Sequence, residues 1–514
     1  MAAPAVAQGN AEYVRARIAD AAGLAGPASA GYSAALTAQP NDAVLAMRAY
    51  RQALTAGDYT LASRAAAVLV RAGNAPPDTA LLAFAMALKS GDARGADAAL
   101  SRIAAGPLGF LTPVLEAWLA VDRRGDALDP IEKARGNVLA MRFAAHHRPL
   151  LLIATGRGED AVPVLSELLA PGGDGNDDLR IDAAALFAVS GQRKLAEPLL
   201  AGGRADFAQL RTRLGKGSKP DAAFGTARLF LGVAEDIAAQ NIPVLSILLT
   251  RAALLLDPAD DRARLFLGEA LAQSGHDAQA LAELGKVSAD SPYRRGAQAG
   301  LIGVYQRSGR LDAALPLAKA LAGDVDATAA DARTYGDVLA GNAQYAAAAD
   351  AYSVALGRAG GDGGWELNYL RGSALDRAGE WGKALPALRR AVELGPDQAP
   401  ALEYLGYAQV LRGENLPEAQ ALLERASKIS PEDPGISASL GWAYFTRGDL
   451  TRALPLLETA VKGDPGGVVS NEHLGDAYWQ LGRRYEARYA WSVAALYAEP
   501  EAQGRITGKL EKGL

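Results

Sequence analysis

The chain has no cysteine, few aromatic residues and no long hydrophobic run. Without a thiol it cannot form disulfides, thiolate metal sites, cysteine nucleophiles or a lipid-modified N-terminal cysteine. A thiol-free chain also suits an oxidising compartment, where stray thiols are a liability. The longest apolar stretch, IPVLSILLTRAALLLDP, is interrupted by Arg251 and is too short to cross a bilayer. We therefore expect no direct membrane span.

Histidine and basic clusters are equally scarce. The chain has 53 basic and 58 acidic residues, a net charge of −5 and no sustained basic block, so nucleic acid is not an expected partner. Its histidines are His146, His147, His276 and His473, and none has a second histidine at the i+4 spacing of zinc-binding helices. The adjacent pair, His146 and His147, should point to different helix faces. We expect no metal site.

Sequence motifs of enzymes are missing as well. The chain has no G-x-S-x-G, no H-E-x-x-H and no dinucleotide-binding fingerprint. GKGSK at residues 215–219 lacks the first glycine of a phosphate loop, and DGNDD at 174–178 lacks the closing glutamate of a calcium loop. We interpret them as a turn and a solvated loop. The chain is therefore expected to be noncatalytic and to need no cofactor.

The first residues, MAAPAVAQGN, contain a possible processing signal. Ala5, Val6 and Ala7 before Gln8 resemble the small-residue cleavage end of a secretory signal peptide. We interpret residues 1–8 as a disordered signal-peptide remnant, which predicts a periplasmic protein. An alanine-rich disordered terminus that needs no export is the alternative, and it leaves a cytoplasmic location open.

What the chain does have is a repeat of 34 residues. Gly441 and Gly475 are 34 residues apart, as are Ala453 and Ala487. Stepping back in 34s gives eight units over residues 227–501, with starts near 227, 261, 295, 329, 365, 399, 434 and 468. Two antiparallel helices approach closely only where side chains are small, and glycines such as Gly379 and Gly448 end the first helix of several units. The pattern predicts helix-turn-helix units that bury their apolar faces against their neighbours.

The repeat becomes irregular towards the N-terminus. Pro163, Pro198, Pro316, Pro386 and Pro455 share one phase inside the expected second helices. Two of these prolines precede residue 227, so the repeat should extend into the first half. We expect degenerate helical pairs over residues 9–210, an irregular connector over 211–226 and a C-terminal tail over 502–514.

The 34-residue pattern resembles the tetratricopeptide repeat. The family's small residue at unit position 8 corresponds to Ala234, Gly268, Gly336, Gly372, Gly406, Gly441 and Gly475, with Ile302 departing from it. Its alanine at position 20 corresponds to Ala280, Ala314, Ala348, Ala384, Ala419, Ala453 and Ala487, with Ser246 as the nearest substitute. The resemblance implies an all-α, right-handed α-solenoid of stacked helix-turn-helix repeats.

The resemblance also implies a binding surface for a protein or peptide partner. In this family the first helix of each unit lines a concave groove, mainly through positions 2, 5, 6, 9, 12 and 13. Carried over to this chain, the groove residues are Tyr369, Asp376, Arg377, Glu403, Tyr404, Tyr407, Trp442, Phe445, Glu472, His473, Asp476, Trp479 and Gln480. The alternative is that these rings only pack between neighbouring first helices.

The C-terminal third, including NEHLGDAYWQLGRRYEARYAW, looks like the ending of envelope tetratricopeptide proteins of Gram-negative bacteria. Some such proteins are adaptors that bring substrates to a periplasmic protease, so the resemblance implies a scaffold or adaptor role. A periplasmic component of a polysaccharide or protein export assembly and a cytoplasmic regulator are the alternatives.

Overall fold

The computed structural model describes residues 3–170, 177–202, 205–215, 219–238, 240 and 242–514. Every element of this described part is helical, and none of its residues is in a strand. The chain divides into two compact units, residues 1–310 and 311–514. The expected all-α fold of helix-turn-helix repeats is confirmed in the described residues.

The first unit consists of helical pairs and single helices. In chain order they are α1 Ala3–Ala21, α2 Ala25–Ala38, α3 Ala43–Ala56, α4 Tyr59–Arg71, α5 Thr79–Ser90, α6 Ala93–Ala104, the 3-10 helix Gly109–Leu111, α7 Thr112–Asp122, α8 Asp129–Glu132, α9 Val138–Ala154, α10 Gly158–Leu168, α11 Asp177–Val189, α12 Arg193–Leu199, α13 Ala205–Arg213, α14 Ala222–Ala238, α15 Pro243–Leu256, α16 Asp261–Gln273, α17 Asp277–Leu284 and α18 Arg294–Arg307. Aspartate or asparagine side chains accept a backbone N–H at many of the helix starts, as N-caps do: Asp42, Asp58, Asp92, Asn137 and Asp260.

The apolar helix α15 packs inside the first unit against α5 and α3, while α14 packs against α7 and α5. Arg251, which interrupts the apolar run of α15, is buried there. Its guanidinium donates to the carbonyl oxygens of Leu54 (3.0 Å) and Thr55 (2.9 Å) at the end of α3, and it pairs with Glu283 at 2.9 Å. Arg251 thus supplies charged donors to carbonyls at the C-terminal end of α3, where the helix's own N–H donors run out.

The second unit is more regular. Its helices are α19 Leu311–Ala322, α20 Ala329–Gly341, α21 Tyr345–Ala359, α22 Gly364–Arg377, α23 Trp381–Leu394, α24 Ala399–Arg412, α25 Leu416–Ile429, α26 Pro434–Thr446, α27 Leu450–Gly463, α28 Val468–Gln480, α29 Arg484–Tyr497 and α30 Pro500–Lys512. From α14 onward, the first helix of each pair begins at residue 222, 261, 294, 329, 364, 399, 434 or 468. All but the first of these starts lie within one residue of the repeat starts read from the sequence.

The small residues of the repeat mark close helix contacts, as expected. A Cβ on Gly372, Gly406 or Gly441 would lie 2.7 to 2.9 Å from a leucine of the second helix in the same pair. The position-20 alanines have no exposed surface. The turn glycines Gly379 and Gly448 have φ of +80°, a conformation that costs glycine little.

The described elements differ from the expected boundaries in three places. Residues 3–8 belong to α1 rather than to a disordered remnant, as their alanine content favours. The expected connector 211–226 contains the end of α13 and the start of α14, where the Asp221 side chain accepts the N–H of Phe224 at 2.9 Å. The expected tail 502–514 is mostly helix α30, which packs against α29.

Two loops interpreted from the sequence fall largely outside the described residues, at 171–176 and 216–218. Within the described chain, no helix combines the length and the apolar character that crossing a bilayer requires.

Candidate partner-binding groove

The candidate groove is the face formed by the first helices α22, α24, α26 and α28. Each first helix packs on the second helix of its own pair through a glycine: Gly475 lies so close to the Trp491 ring that a Cβ there would be 2.4 Å from it. Because successive pairs repeat this contact, equivalent positions of successive first helices come to lie side by side. The structure therefore brings the predicted rings of different units within contact distance.

One group of rings lies on α22 and α24. Trp365 and Tyr369 have ring centroids 6.2 Å apart, and Tyr369 meets Tyr404 edge-to-face at 5.8 Å. The Tyr404 hydroxyl donates to the Asp376 carboxylate at 3.1 Å, and Arg412 binds the same carboxylate. The Asp376 carboxylate is therefore already paired within the chain and is not a free anion in the groove. Burial and then the Asp376 charge raise the pKa of Tyr404.

Arg377, predicted in the same group, is exposed, and its guanidinium lies 4.2 Å from the ring centroid of Tyr345, the first residue of α21. It stacks on the preceding pair rather than on the tyrosines of α22 and α24.

A second group of rings joins α24, α26 and α28. His473 stacks face to face on Trp442, with centroids 3.8 Å apart, and Trp442 stacks on Phe445 at 4.6 Å. Tyr407 lies 6.2 Å from the His473 ring. His473 is buried, and burial together with the charges of Lys509 and Arg505 lowers its pKa to about 3, so the imidazole is neutral. Its Nδ1 is buried and makes no hydrogen bond within the described residues.

The predicted acids of α28 are bound by the chain's own C-terminal helix. Lys509 of α30 pairs with Glu472 at 2.7 Å and with Asp476 at 2.6 Å, and Arg505 pairs with Glu472 at 3.0 Å. The side chains of both acids are at most 5% exposed. Asp476 also accepts the indole N–H of Trp491 at 2.9 Å. Burial raises the pKa of Asp476 even though Lys509 opposes the shift.

The last predicted ring is covered as well. A Cβ on Gly513 would lie 1.9 Å from the Trp479 ring, so the end of the chain lies against this indole. Arg484 stacks over the same ring at 3.7 Å from its centroid, and the ring centroid of Trp491 lies 5.3 Å away. Gln480 is exposed. At α28, the face predicted to meet a ligand is therefore occupied by α30, which lies in the place of a further first helix and turns Arg505 and Lys509 towards the acids of α28.

Glu403 of α24 differs from the acids of α28. Its carboxylate accepts the Ser439 hydroxyl at 2.6 Å and forms no ion pair with any described residue. Burial is the main cause of a raised pKa at Glu403. Of the predicted acids of the site, Glu403 is thus the one that no cation of the described chain pairs with.

Sequence reasoning missed Arg505 and Lys509 because the chain after residue 501 was interpreted as a tail. Continuing the 34-residue step would have placed a unit start at 502, just after Pro500, which begins α30. Ile506, fully buried, shows that α30 has an apolar face. Trp365 and Ser439 were also missed; they lie at the start of α22 and in α26.

A separate polar cavity of about 100 Å³ lies in the first unit between α9, α11, α14 and α16. Exposed His146 and buried His147 both line it, and His147 Nδ1 accepts the indole N–H of Trp118 at 2.9 Å. Arg228 pairs there with Asp182 at 2.7 Å. In the described part of the chain, no cluster of three or more His, Asp or Glu residues is arranged to hold a metal ion. The paired charges of the cavity bind the surrounding helices to one another.

Comparison with known proteins identifies the repeats. The model of the family described as tetratricopeptide repeat matches residues 369–434, 410–468 and 438–502, about a quarter of the chain. A tetratricopeptide repeat-containing protein of Pseudomonas aeruginosa is 33% identical over 110 residues, a stretch that is 21% of this chain and 18% of that protein. This chain thus matches less than a fifth of the length of that relative.

Solved structures similar to the chain include MamA of Desulfovibrio magneticus, with 20% identity and a TM-score of 0.29, over 33% of this chain and 94% of that one. The Cut9–Hcn1 hetero-tetramer of the APC/C is another, with 13% identity and a TM-score of 0.38, over 91% of this chain and 96% of that one. Tetratricopeptide repeats are typical of scaffolds that bind other proteins or peptides. The helix pairs and the family match together identify tetratricopeptide repeats in residues 369–502.

Proposed function

We propose that this chain is a noncatalytic scaffold that binds a peptide segment of a partner protein on the first-helix face of α22, α24 and α26. The observation that carries the proposal is a line of half-buried aromatic side chains along this face: Trp365, Tyr369, Tyr404, Tyr407, Trp442 and Phe445. Each ring keeps part of its surface exposed while its position is held by a neighbouring ring or a hydrogen bond. Rigid aromatic surface of this kind loses little conformational entropy on binding.

The proposed surface is shorter than the one expected from the sequence. Glu472, Asp476 and Trp479 are bound by α30, so a ligand would have to displace this helix to reach them. The rings on α22, α24 and α26 need no such displacement. We therefore place the partner on these three helices, with α30 as the end of the groove.

We propose further that the scaffold acts as an adaptor in the periplasm. The absence of cysteine supports an oxidising compartment. Osmotic-shock fractionation of the native host, followed by immunodetection of the chain, tests the location. Release together with periplasmic contents is expected, and retention in spheroplasts would contradict this part of the proposal.

Peptide selection tests the groove. A random decapeptide phage library would be panned on the full chain, and the dissociation constants of selected peptides would be measured by fluorescence anisotropy. Replacing Tyr369 and Tyr407 together by alanine should weaken the selected peptides at least about 30-fold, since a buried aromatic contact contributes about 2 kcal/mol or more to binding. Tyr485 and Tyr489, which are 84% and 70% exposed on α29, provide the matched control when both are replaced by alanine.

The control pair should leave binding unchanged. Thermal unfolding of both double variants, followed by circular dichroism, checks that the fold is intact. If folded chain with the groove pair replaced binds the peptides as tightly as the wild type, the rings serve only for packing and the proposal is wrong.

A further inference from the structure

Two glutamates occupy the same repeat position in different surroundings. Glu403 and Glu472 are both fifth in their units, which start at 399 and 468. Glu472 receives Arg505 at 3.0 Å and Lys509 at 2.7 Å from α30, the next helix in the stack. For Glu403 on α24, the helix in the equivalent position is α26. The chain itself thus shows how basic residues of the next first helix can pair with an acid at this position.

The next helix offers Glu403 no such cation. Arg505 and Lys509 are at positions 4 and 8 of a unit starting at 502, and the equivalent residues of α26 are Ser437 and Gly441. Neither carries a charge, and Gly441 is in close contact with Leu457 of α27. Among the described residues, Glu403 therefore accepts a hydrogen bond only from the hydroxyl of Ser439.

An unpaired carboxylate at this position is costly to the folded protein. Burial disfavours its charged form, which is the main reason why the pKa of Glu403 is raised. A protein can retain such a group where a ligand supplies the missing charge. Tyr369 and Tyr407 are suitable neighbours for this role: burial, and then the Glu403 charge, raises the pKa of each of these tyrosines.

We propose that Glu403 is the subsite for a lysine or arginine side chain of the bound peptide, whose alkyl part lies against the rings of Tyr369 and Tyr407. Such a side chain would form with Glu403 the ion pair that Lys509 forms with Glu472. Aromatic faces beside the carboxylate would add attraction for the cation. This inference rests on the proposed function and specifies the chemistry of its ligand.

The test compares peptide selection on three forms of the full chain: wild type, Glu403→Gln and Glu432→Gln. Glutamine keeps the shape of Glu403 and can still accept the Ser439 hydroxyl. Glu432 is exposed in the turn before α26, so its replacement controls for the loss of one negative charge. Decapeptides selected on the wild type and on Glu432→Gln should share a basic residue, and those selected on Glu403→Gln should not.

A double-mutant cycle measures the pairing directly. Replacing the shared basic residue of a selected peptide by norleucine should weaken its binding to the wild type at least about tenfold, as close charge pairs across interfaces do. The same replacement should change binding to Glu403→Gln much less. The stability of Glu403→Gln separates this role from a structural one. Its melting temperature should equal or exceed that of the wild type, whereas a structural carboxylate would lower it when replaced.

Each other outcome overturns a defined part of the reasoning. If selected peptides depend on Tyr369 and Tyr407 but not on Glu403, the groove proposal stands and the cation subsite is wrong. Both proposals are wrong if no peptide is enriched on the wild type. They are also wrong if the selected peptides bind equally well after Tyr369 and Tyr407 are replaced. A lower melting temperature of Glu403→Gln at unchanged peptide selection assigns Glu403 to folding alone.

Discussion

Replacing Lys509 by methionine should detach the C-terminal helix α30 from α28. The Lys509 ammonium lies 2.7 Å from Glu472 and 2.6 Å from Asp476, and the acids' side chains are only 4% and 5% exposed. Removing one partner of a buried ion pair costs about 3 to 5 kcal/mol, because the remaining charge is left buried. Arg505 still pairs with Glu472 in the variant, so we expect the lower end, about 3 kcal/mol.

The loss should be local. Each repeat is stabilised mainly by its neighbours, so weakening a terminal helix exposes that end first. Hydrogen exchange followed by mass spectrometry should show amides of α28 to α30 exchanging about 100-fold faster, since about 1.4 kcal/mol corresponds to a factor of ten. Amides of α20 to α24 should be unaffected. Lys512→Met, on the exposed side of the same helix, is the matched control and should change nothing.

The pH dependence of this effect has a definite sign. Asp476 has a raised pKa in the folded protein, so the charged carboxylate is already disfavoured, and stability is lost as pH rises through that pKa. Without Lys509 the pKa rises further, because the cation that opposed the effect of burial is missing. The cost of Lys509→Met should therefore be larger at pH 8 than at pH 5, and Lys509→Met with Asp476→Asn should recover part of it. Equal exchange in Lys509→Met and wild type at pH 8 would refute the reasoning.

Three further predictions concern single sites. Gly475→Ala places a Cβ 2.4 Å from the Trp491 indole on α29 and should lower the free energy of unfolding by about 2 kcal/mol, measured by urea titration. Gly504→Ala, in α30 with open space around it, should raise the same free energy by about 0.5 to 1 kcal/mol. Ala343 has φ of +56° where Gly379 has +80° at the equivalent turn, so Ala343→Gly should stabilise and Gly379→Ala destabilise the chain by about 1 kcal/mol each; the same sign for both would contradict this. Burial lowers the pKa of His147 to about 3. The unfolded chain gains a proton at this histidine as pH drops below about 6.5, so the melting temperature should fall there. The change in melting temperature between about pH 6.5 and 4.5 should be smaller in His147→Gln.

The positions of the helices could be predicted because local chemistry encodes them. Glycine at a left-handed turn and glycine or alanine at a helix contact act within one pair, and their spacing repeats along the chain. Pro386 and Pro455 lie inside second helices, as their shared phase indicated. The same spacing predicted which first-helix positions share a face, and the contacts of Tyr369 with Tyr404 and of Trp442 with His473 agree with it.

Whether those residues are accessible to a ligand could not be predicted in the same way. Whether Glu472 and Asp476 are open to a ligand depends on where Lys509 and Arg505 fold, and these are at least 29 residues away along the chain. A repeat pattern describes one unit and its neighbours, but it does not describe what covers the last unit. The sequence also left Glu403 and Glu472 indistinguishable, since both occupy the same unit position.

By itself, then, the sequence determined the helix-turn-helix repeat, its period and the face on which its aromatic residues lie, because these follow from backbone conformation and side-chain size at fixed local spacing. Only the tertiary structure decided that α30 covers the candidate groove at α28 and that α15 packs against α3 and α5. Both depend on charges and apolar faces that meet across long separations in the chain. The same long-range packing leaves Glu403 half-buried and, alone among the acids predicted in the groove, without a cation from the described chain.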